Sequence, residues 1–429
     1  MKKIVVSIFV AALGSHAAAQ NIGNSPYAAY GIGDIKYDNS VETRSMGGIS
    51  AAYVWDFNNQ FNFQNPAANQ NLEITSLRFH GTNENQYFKS GYNGNKYGKH
   101  SSYLSGISLA FPLSKKVKLG IGYQPYSSKD YSITQSTSLP DGTAGVQNFH
   151  GDGGINLVQL GVGYSITPSF SVGLSNNLYF GRISDVQETA YENTTLISSI
   201  ENESSVTSFN FTLGSVYQKK LKNNKKLTFG ASYTFGNTTD FKSTYTNSTY
   251  FLNGTTKSNE DIVAQESKNT NNTIPQKLSL GVGFGHDAKW FVSGQFDYKS
   301  GKNAESLRYL SYSYDDAYRV SVGGWYLPNY NNFRNYFSRV TYRYGAFYEK
   351  GHLNVQGTNI NQYGLSFGAS FPFQKSNVTR LSTLDLGIEL GQRGTVKNNL
   401  IRENFLNFTI GINFANKWFE KQYLSLIHI

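Results

Sequence analysis

The residues Gly364-Leu365-Ser366-Phe367-Gly368 spell G-x-S-x-G, the pattern of a hydrolase nucleophile elbow. An elbow needs a sharp turn from a strand into a helix, so that the hydroxyl stands exposed beside a base. Here the serine sits inside an alternating run between Leu365 and Phe367, so a serine facing a barrel lumen is the simpler reading. Six histidines follow the first twenty residues: His80, His100, His150, His286, His352 and His428. No two are spaced as ligands on one strand face, and there is no cysteine to join them. No G-x-x-x-x-G-K loop is present to cradle phosphate. The chain therefore reads as a non-enzyme, with no catalytic residue, no metal and no cofactor expected.

A second set of polar residues is selected by parity. Asp385 and Glu389 share the side opposite Leu384, Leu386 and Leu390, and Arg393 keeps that parity. Arg343 and Glu349 lie opposite Val340, Tyr342 and Tyr344, and Arg319 lies opposite Val320 and Val322. Buried charge must be paired or wet. The expectation is a luminal network of Arg319, Arg343, Glu349, Asp385, Glu389 and Arg393 that holds a plug. The alternative is the same charges solvated by luminal water.

The elements that position these residues follow one repeating idea. In Asn156–Ile166, Val158, Leu160, Val162, Tyr164 and Ile166 alternate with Gln159, Gly161, Gly163 and Ser165. Lys277–Gly285 and Leu406–Phe414 repeat the pattern. Period two with one polar or tiny face is a strand between two solvents. The Gly and Ser face implies an open, wet interior, and aromatic residues near strand ends suit a membrane interface. The fold class is all-β, a transmembrane antiparallel β-barrel. Fourteen strands are predicted near 72–89, 100–113, 117–136, 152–166, 170–189, 203–220, 225–246, 274–286, 289–299, 316–327, 338–350, 360–373, 379–393 and 401–415. Short turns fall at Leu113–Lys116, Thr167–Ser169, Asn223–Asn224 and Asp287–Ala288, with longer connections near 137–151, 190–202, 247–273 and 300–315. An even strand count puts both termini in the periplasm. Pro328–Phe337 is longer than a short turn, and its aromatics and Arg334 would line the rim.

Composition agrees. Among 429 residues only 15% are charged, 15% are aromatic, and Gly numbers 42. Residues 1–19 read as a signal peptide: Lys2-Lys3, an apolar run from Ile4 to Leu13, then Ala17-Ala18-Ala19. Outer-membrane localisation follows from a leader joined to a barrel. The net charge of +10 is dispersed, which suits anionic lipid headgroups or lipopolysaccharide and argues against nucleic acid.

Between leader and barrel, residues 20–71 obey no period. The stretch RSMGGISAAYVWDFNNQFNFQNPAAN (Arg44–Asn69) is aromatic, yet Gly47-Gly48 and Pro66 interrupt it. Irregular backbone at membrane depth is tolerated only inside protein or a wet lumen, so this segment is expected to be a plug. Asn65 would cap a short helix with Pro66 at its first position. Trp55, Phe57, Phe61, Phe63, Asn65 and Pro66 are the expected plug and ligand-lining residues. Residues 416–429 form a tail, whose last six, Leu424–Ile429, look non-native.

Several pieces resemble the outer-membrane long-chain fatty acid transporter family, the FadL/TodX type, especially its Bacteroidota members. They are SPYAAYGIGD (Ser25–Asp34), RSMGG (Arg44–Gly48), Asn65-Pro66-Ala67, GQRGT (Gly391–Thr395) and NKWFEKQ (Asn416–Gln422). The resemblance implies a fourteen-strand barrel with an inward-folded hatch, taking hydrophobic ligands from outside and releasing them laterally through the wall. It implies uptake of small hydrophobic molecules. Barrels of this type also include accessory subunits of larger machines, such as the type IX secretion shuttle protein. The alternative is therefore a non-transporting subunit of a secretion or assembly complex, with a protein partner.

Overall fold

The structure is a computed structural model that describes residues 23, 25–36, 40–253, 256–301, 312–332, 334–373 and 382–416. The expected signal peptide, most of the C-terminal tail, including Leu424–Ile429, and most of the 300–315 connection lie outside the described residues. The chain begins with β1 (Asp34–Ile35) and one helical turn, α1 (Val41–Arg44). It continues through β2 (Thr75–Ser90), β3 (Lys96–Pro112), β4 (Val117–Ser128), β5 (Tyr131–Ser138), β6 (Ala144–Thr167), β7 (Phe170–Tyr191) and β8 (Leu196–Lys220). Next come β9 (Lys225–Thr234), β10 (Asn237–Asn253), β11 (Thr256–Ile274), β12 (Lys277–His286), β13 (Trp290–Lys299), β14 (Tyr312–Tyr314) and β15 (Ala317–Tyr326). The last are β16 (Thr341–Lys350), β17 (Leu353–Val355), β18 (Thr358–Asn359), β19 (Gln362–Pro372), β20 (Thr383–Gly394) and β21 (Ile401–Asn416).

Alternation decides which strands close the wall. Their order is β2-β3-β4-β6-β7-β8-β9-β12-β13-β15-β16-β19-β20-β21, and β21 pairs back with β2 through Thr75↔Asn416 to Ser90↔Ile401. This is a closed fourteen-strand antiparallel barrel. Outward residues such as Leu160, Val282, Val320, Leu365 and Ile410 are exposed, and their inward neighbours are buried. Closure pairs the backbone groups of the wall, as a lipid environment requires, except where β3 and β4 part. The expected short turns are present. At one of them Asn223 and Asn224 both take positive φ (57° and 54°), the I′ geometry that suits a two-residue hairpin.

The longer connections need correction. Residues expected as loops near 137–151, 190–202 and 247–273 are mostly strand, which leaves connections of only 139–143 and 192–195, while 254–255 lie outside the described residues. β8 runs for 25 residues, against about 10 for a barrel strand crossing a membrane. Beyond the barrel, β5 pairs with β6 and the β10–β11 hairpin pairs with β8. These segments are rich in Ser, Thr, Asn and Tyr. They lack a lipid face, so apolar periodicity vanishes while β pairing continues.

The Gly and Ser interior also needs correction. It is not simply open, because residues 40–72 lie directly on it. A Cβ on Gly345 would overlap the Met46–Gly47 backbone. One on Gly230 would overlap the Ala51 carbonyl, and one on Gly173 would overlap Pro66. The glycine rows of the wall are the footprint of the N-terminal segment.

Candidate functional site

The luminal segment turns sharply where Gly47 and Gly48 take φ of 73° and 91°, a region that side chains disfavour. At this turn the Gly47 N–H donates to the Ser366 hydroxyl over 2.9 Å, and the Gly47 carbonyl accepts from Arg319 over 3.1 Å. Ser366, the serine of the G-x-S-x-G pattern, is fully buried and serves as a seat for the turn. Further along, Gln295 Oε1 accepts from the N–H groups of both Ser50 and Ala51 at 2.8 Å. Asn65 accepts from the Ala67 N–H, capping the 3-10 turn Pro66–Asn69, and donates to the Ala51 carbonyl over 2.6 Å.

The charged residues picked by parity fall into separate clusters, each closed by the luminal segment. Arg393 meets Asp34 at 2.5 Å and Glu403 at 3.8 Å. Lys36 joins this group, 3.2 Å from Asp34 and 2.9 Å from Glu84. In the second cluster Arg78 pairs with Glu42 and, at 2.8 Å, with Asp385. Ser370 links Asp385 to Arg343 through hydrogen bonds on either side of its hydroxyl. Arg44 reaches Glu389 over 3.4 Å, and Arg319 reaches Glu349 over 2.9 Å. The six expected residues thus do not form one network. Asp34, Lys36, Glu42 and Arg44 were missed because no periodicity ties an aperiodic segment to its partners, whereas Arg78 and Glu84 share the inward parity of β2 and were open to the same reading. Burial pushes the Asp34 carboxyl up, but the adjacent Arg393 and Lys36 charges override it and hold the group at about 2. For Lys36, burial works against the charge, yet Glu84 and Asp34 hold it above the usual lysine range.

The expected ligand-lining residues divide among different places. Phe61 is buried against Leu72, Ala110 and the glycines Gly120 and Gly161. Phe63 packs 4.9 Å from the Phe61 ring and faces open space. Trp55 meets Trp325 edge-on at 4.5 Å, and Phe57 stacks on Tyr330 at 4.3 Å. Tyr330 belongs to the Pro328–Phe337 connection, where Tyr336, Phe337 and Arg334 are exposed at the rim. Asn65 and Pro66 line none of the cavities described below, and their role is to fix the backbone.

The wall is not uniform. β3 and β4 pair only from Ile107↔Tyr123 to Pro112↔Lys118. Beyond that level β3 stays with β2 and β4 stays with β6, so the two strands part. Two features of the sequence produce this split. Pro125 has no N–H to give a neighbour and sits at a bulge against β6, and β3 carries an extra residue opposite His80/Gly81. The luminal β1 fills part of the gap, pairing Asp34↔Ser128 and Ile35↔Ser127. The Lys36 N–H then donates to the Tyr126 carbonyl over 2.8 Å.

Between the luminal segment and the wall lies a cavity of about 200 Å³ lined by Tyr27, Tyr30, Phe63, Tyr126 and Tyr179 among others. A second, of about 60 Å³, lies behind the split against Phe61, Ser105 and Gln124. Phe63, Gln64 and Gln159 line both. The three-stranded sheet of β14, β17 and β18 borders the larger cavity, and Tyr314 accepts from the Ile32 N–H at 3.3 Å while stacking on His352 at 4.6 Å. A third cleft, of about 50 Å³, opens at the short-turn end beside Trp55 and Phe57.

A family model described as BamG matches residues 1–424. No curated protein matches the sequence. Among solved structures, a Pseudomonas aeruginosa FadL homologue aligns with a TM-score of 0.58 at 12% identity, covering 89% of this chain and 99% of its own. The Ralstonia pickettii toluene transporter TbuX aligns at 0.55 and 14% identity, covering 88% and 98%. The Pseudomonas putida toluene transporter TodX aligns at 0.55 and 15% identity, covering 89% and 98%. At such identities the likeness establishes the fold, which is the FadL/TodX-type outer-membrane barrel expected from the resemblance. The sequence family carries a different name.

Proposed function

The chain belongs to the BamG family, and we propose that it is an outer-membrane channel for uptake of small hydrophobic molecules. Its substrate would enter from the long-loop end, which this reading places outside the cell with both termini periplasmic. It would rest in the tyrosine-lined cavity and leave sideways between β3 and β4. The observation that carries this reading is the cavity of about 200 Å³ sharing Phe63, Gln64 and Gln159 with the space behind the split. A cavity of about 150 Å³ is enough for benzene, so a single-ring aromatic fits and a long acyl chain would have to extend into the second space. Residues 23–72 act as a plug, and ion pairs at several levels favour a plug that stays in place while ligand moves past it. Uptake of labelled toluene into proteoliposomes should exceed that of empty liposomes, and equal rates would refute the reading.

A second reading is a non-transporting accessory subunit of a secretion or assembly complex. Its support is the six-stranded sheet of β5, β6, β7, β8, β10 and β11 standing beyond the barrel, together with a family name distinct from that of the channels. Gentle detergent extraction separates the two readings. A stoichiometric protein partner favours the subunit, and a bound apolar small molecule favours the channel.

A further inference from the structure

The cleft at the short-turn end takes no part in the uptake route, yet its chemistry is specific. One side is aromatic, formed by Trp55, Phe57 and Tyr330. The other side carries Arg343 and Arg339 with the hydroxyls of Thr341, Ser370 and Thr383. Among the described residues that line it, none is acidic.

Arg343 is 4% exposed, and among the described residues no carboxylate lies within ion-pair distance of it. Its Nη1 donates to the Ser370 hydroxyl, which in turn donates to Asp385. Asp385 is already held by Arg78 at 2.8 Å and by the Thr383 hydroxyl at 3.1 Å. Asp385 is therefore saturated and lies one hydroxyl away. The Nε of Arg343 is buried with no hydrogen-bond partner among the described residues. The guanidinium carbon lies 5.7 Å from the centre of the Trp55 ring. A buried guanidinium that faces a cleft without its own anion is costly unless an anion arrives from outside.

We propose that this cleft is a second binding site, for a small aromatic carboxylate. The guanidinium offers a planar fork that matches a carboxylate in two parallel hydrogen bonds. The Trp55 and Phe57 rings stand edge-on at 5.7 Å, which offers both a face and an edge to a planar ligand ring. A volume of about 50 Å³ accepts the acid group and leaves the rest of the ligand in the open mouth. A tetrahedral phosphate would use the same fork but leave the aromatic side unused. The site faces the short-turn end, so a ligand bound there reaches it without passing the uptake cavity.

The test is titration of the full chain in detergent with benzoate, inorganic phosphate and toluene. The readouts are calorimetry and tryptophan fluorescence, since Trp55 and Trp325 are two of only four tryptophans. Benzoate binding with a fluorescence change is expected, with phosphate at least about tenfold weaker. Arg343→Gln should weaken benzoate by at least about tenfold. Should Arg343→Gln fail to fold, the half-exposed Arg339→Gln should weaken benzoate by about threefold. The proposal is overturned if phosphate binds as well as benzoate, or if benzoate affinity is unchanged in the variant tested. It is also overturned if toluene competes with benzoate on equal terms, because that places both in an apolar pocket without an anion requirement.

Discussion

Two sides of the barrel hold the same luminal segment in opposite ways. Along β16, β19 and β20 its backbone lies on glycine. Met46 and Gly47 touch Gly345, Ser45 touches Gly368, and Ser366 and Arg319 bond the N–H and the carbonyl of Gly47. Along β3 and β4 the strands separate, a two-residue strand fills part of the gap, and the contacts are the rings of Phe61 and Phe63. The first side has no slack and anchors the segment. The second can give, because a ring can rotate where a peptide unit cannot. The proposed route past a stationary luminal segment needs this asymmetry.

The largest effect is expected at the buried charge that ties β2 to the anchored side, where Arg78 reaches Asp385 of β20. Arg78→Met should leave Glu42 and Asp385 buried without their cation and cost about 3–5 kcal/mol. The midpoint of heat modifiability on gels should fall, and single-channel conductance should rise as the segment loosens. Next in size is a pair of glycine variants. Gly345→Ala sets a methyl group against backbone and should cost about 1–3 kcal/mol. Gly122→Ala sets one against the Phe63 ring, which can move, and should cost under about 1.5 kcal/mol with uptake reduced more than stability. Equal costs for the two would abolish the distinction between the sides.

The pH dependence is a smaller effect and belongs to β1, at the split. The Asp34 carboxyl is lowered from 3.8 to about 2, so its contribution to docking is complete above pH about 4 and is lost as pH falls toward 2. Lys36 is shifted the other way, so its contribution is complete below 10.5 and is lost only as pH rises above that. Protease protection of residues 25–36 should therefore fall as pH drops below about 4. Protection that persists unchanged at pH 2 would remove these ion pairs from the account.

The barrel was legible in the sequence because a lipid face and a luminal face alternate with period two. Leu278, Leu280, Val282 and Phe284 need no tertiary context to be read. The sheet beyond the membrane was not legible, since 247–273 has no apolar face to mark its strands. Parity placed Arg319, Glu349, Asp385, Glu389 and Arg393 in the lumen but could not name Arg44 or Asp34 as partners, because those sit where no period operates. The glycine rows were visible and misread. They signalled a backbone lying on the wall rather than an open pore. Pro125 inside an alternating run was the available sign of the split, and it went unused because a proline at a barrel bulge resembles one at a strand end.

The chain contains no cysteine, so a single introduced thiol can be modified alone. Ser105 lines the space behind the split and carries no part of the anchored side. Toluene uptake into proteoliposomes by Ser105→Cys should match the parent chain before labelling and drop to the rate of empty liposomes once a bulky maleimide has reacted fully. Uptake unchanged by complete labelling would contradict the lateral route.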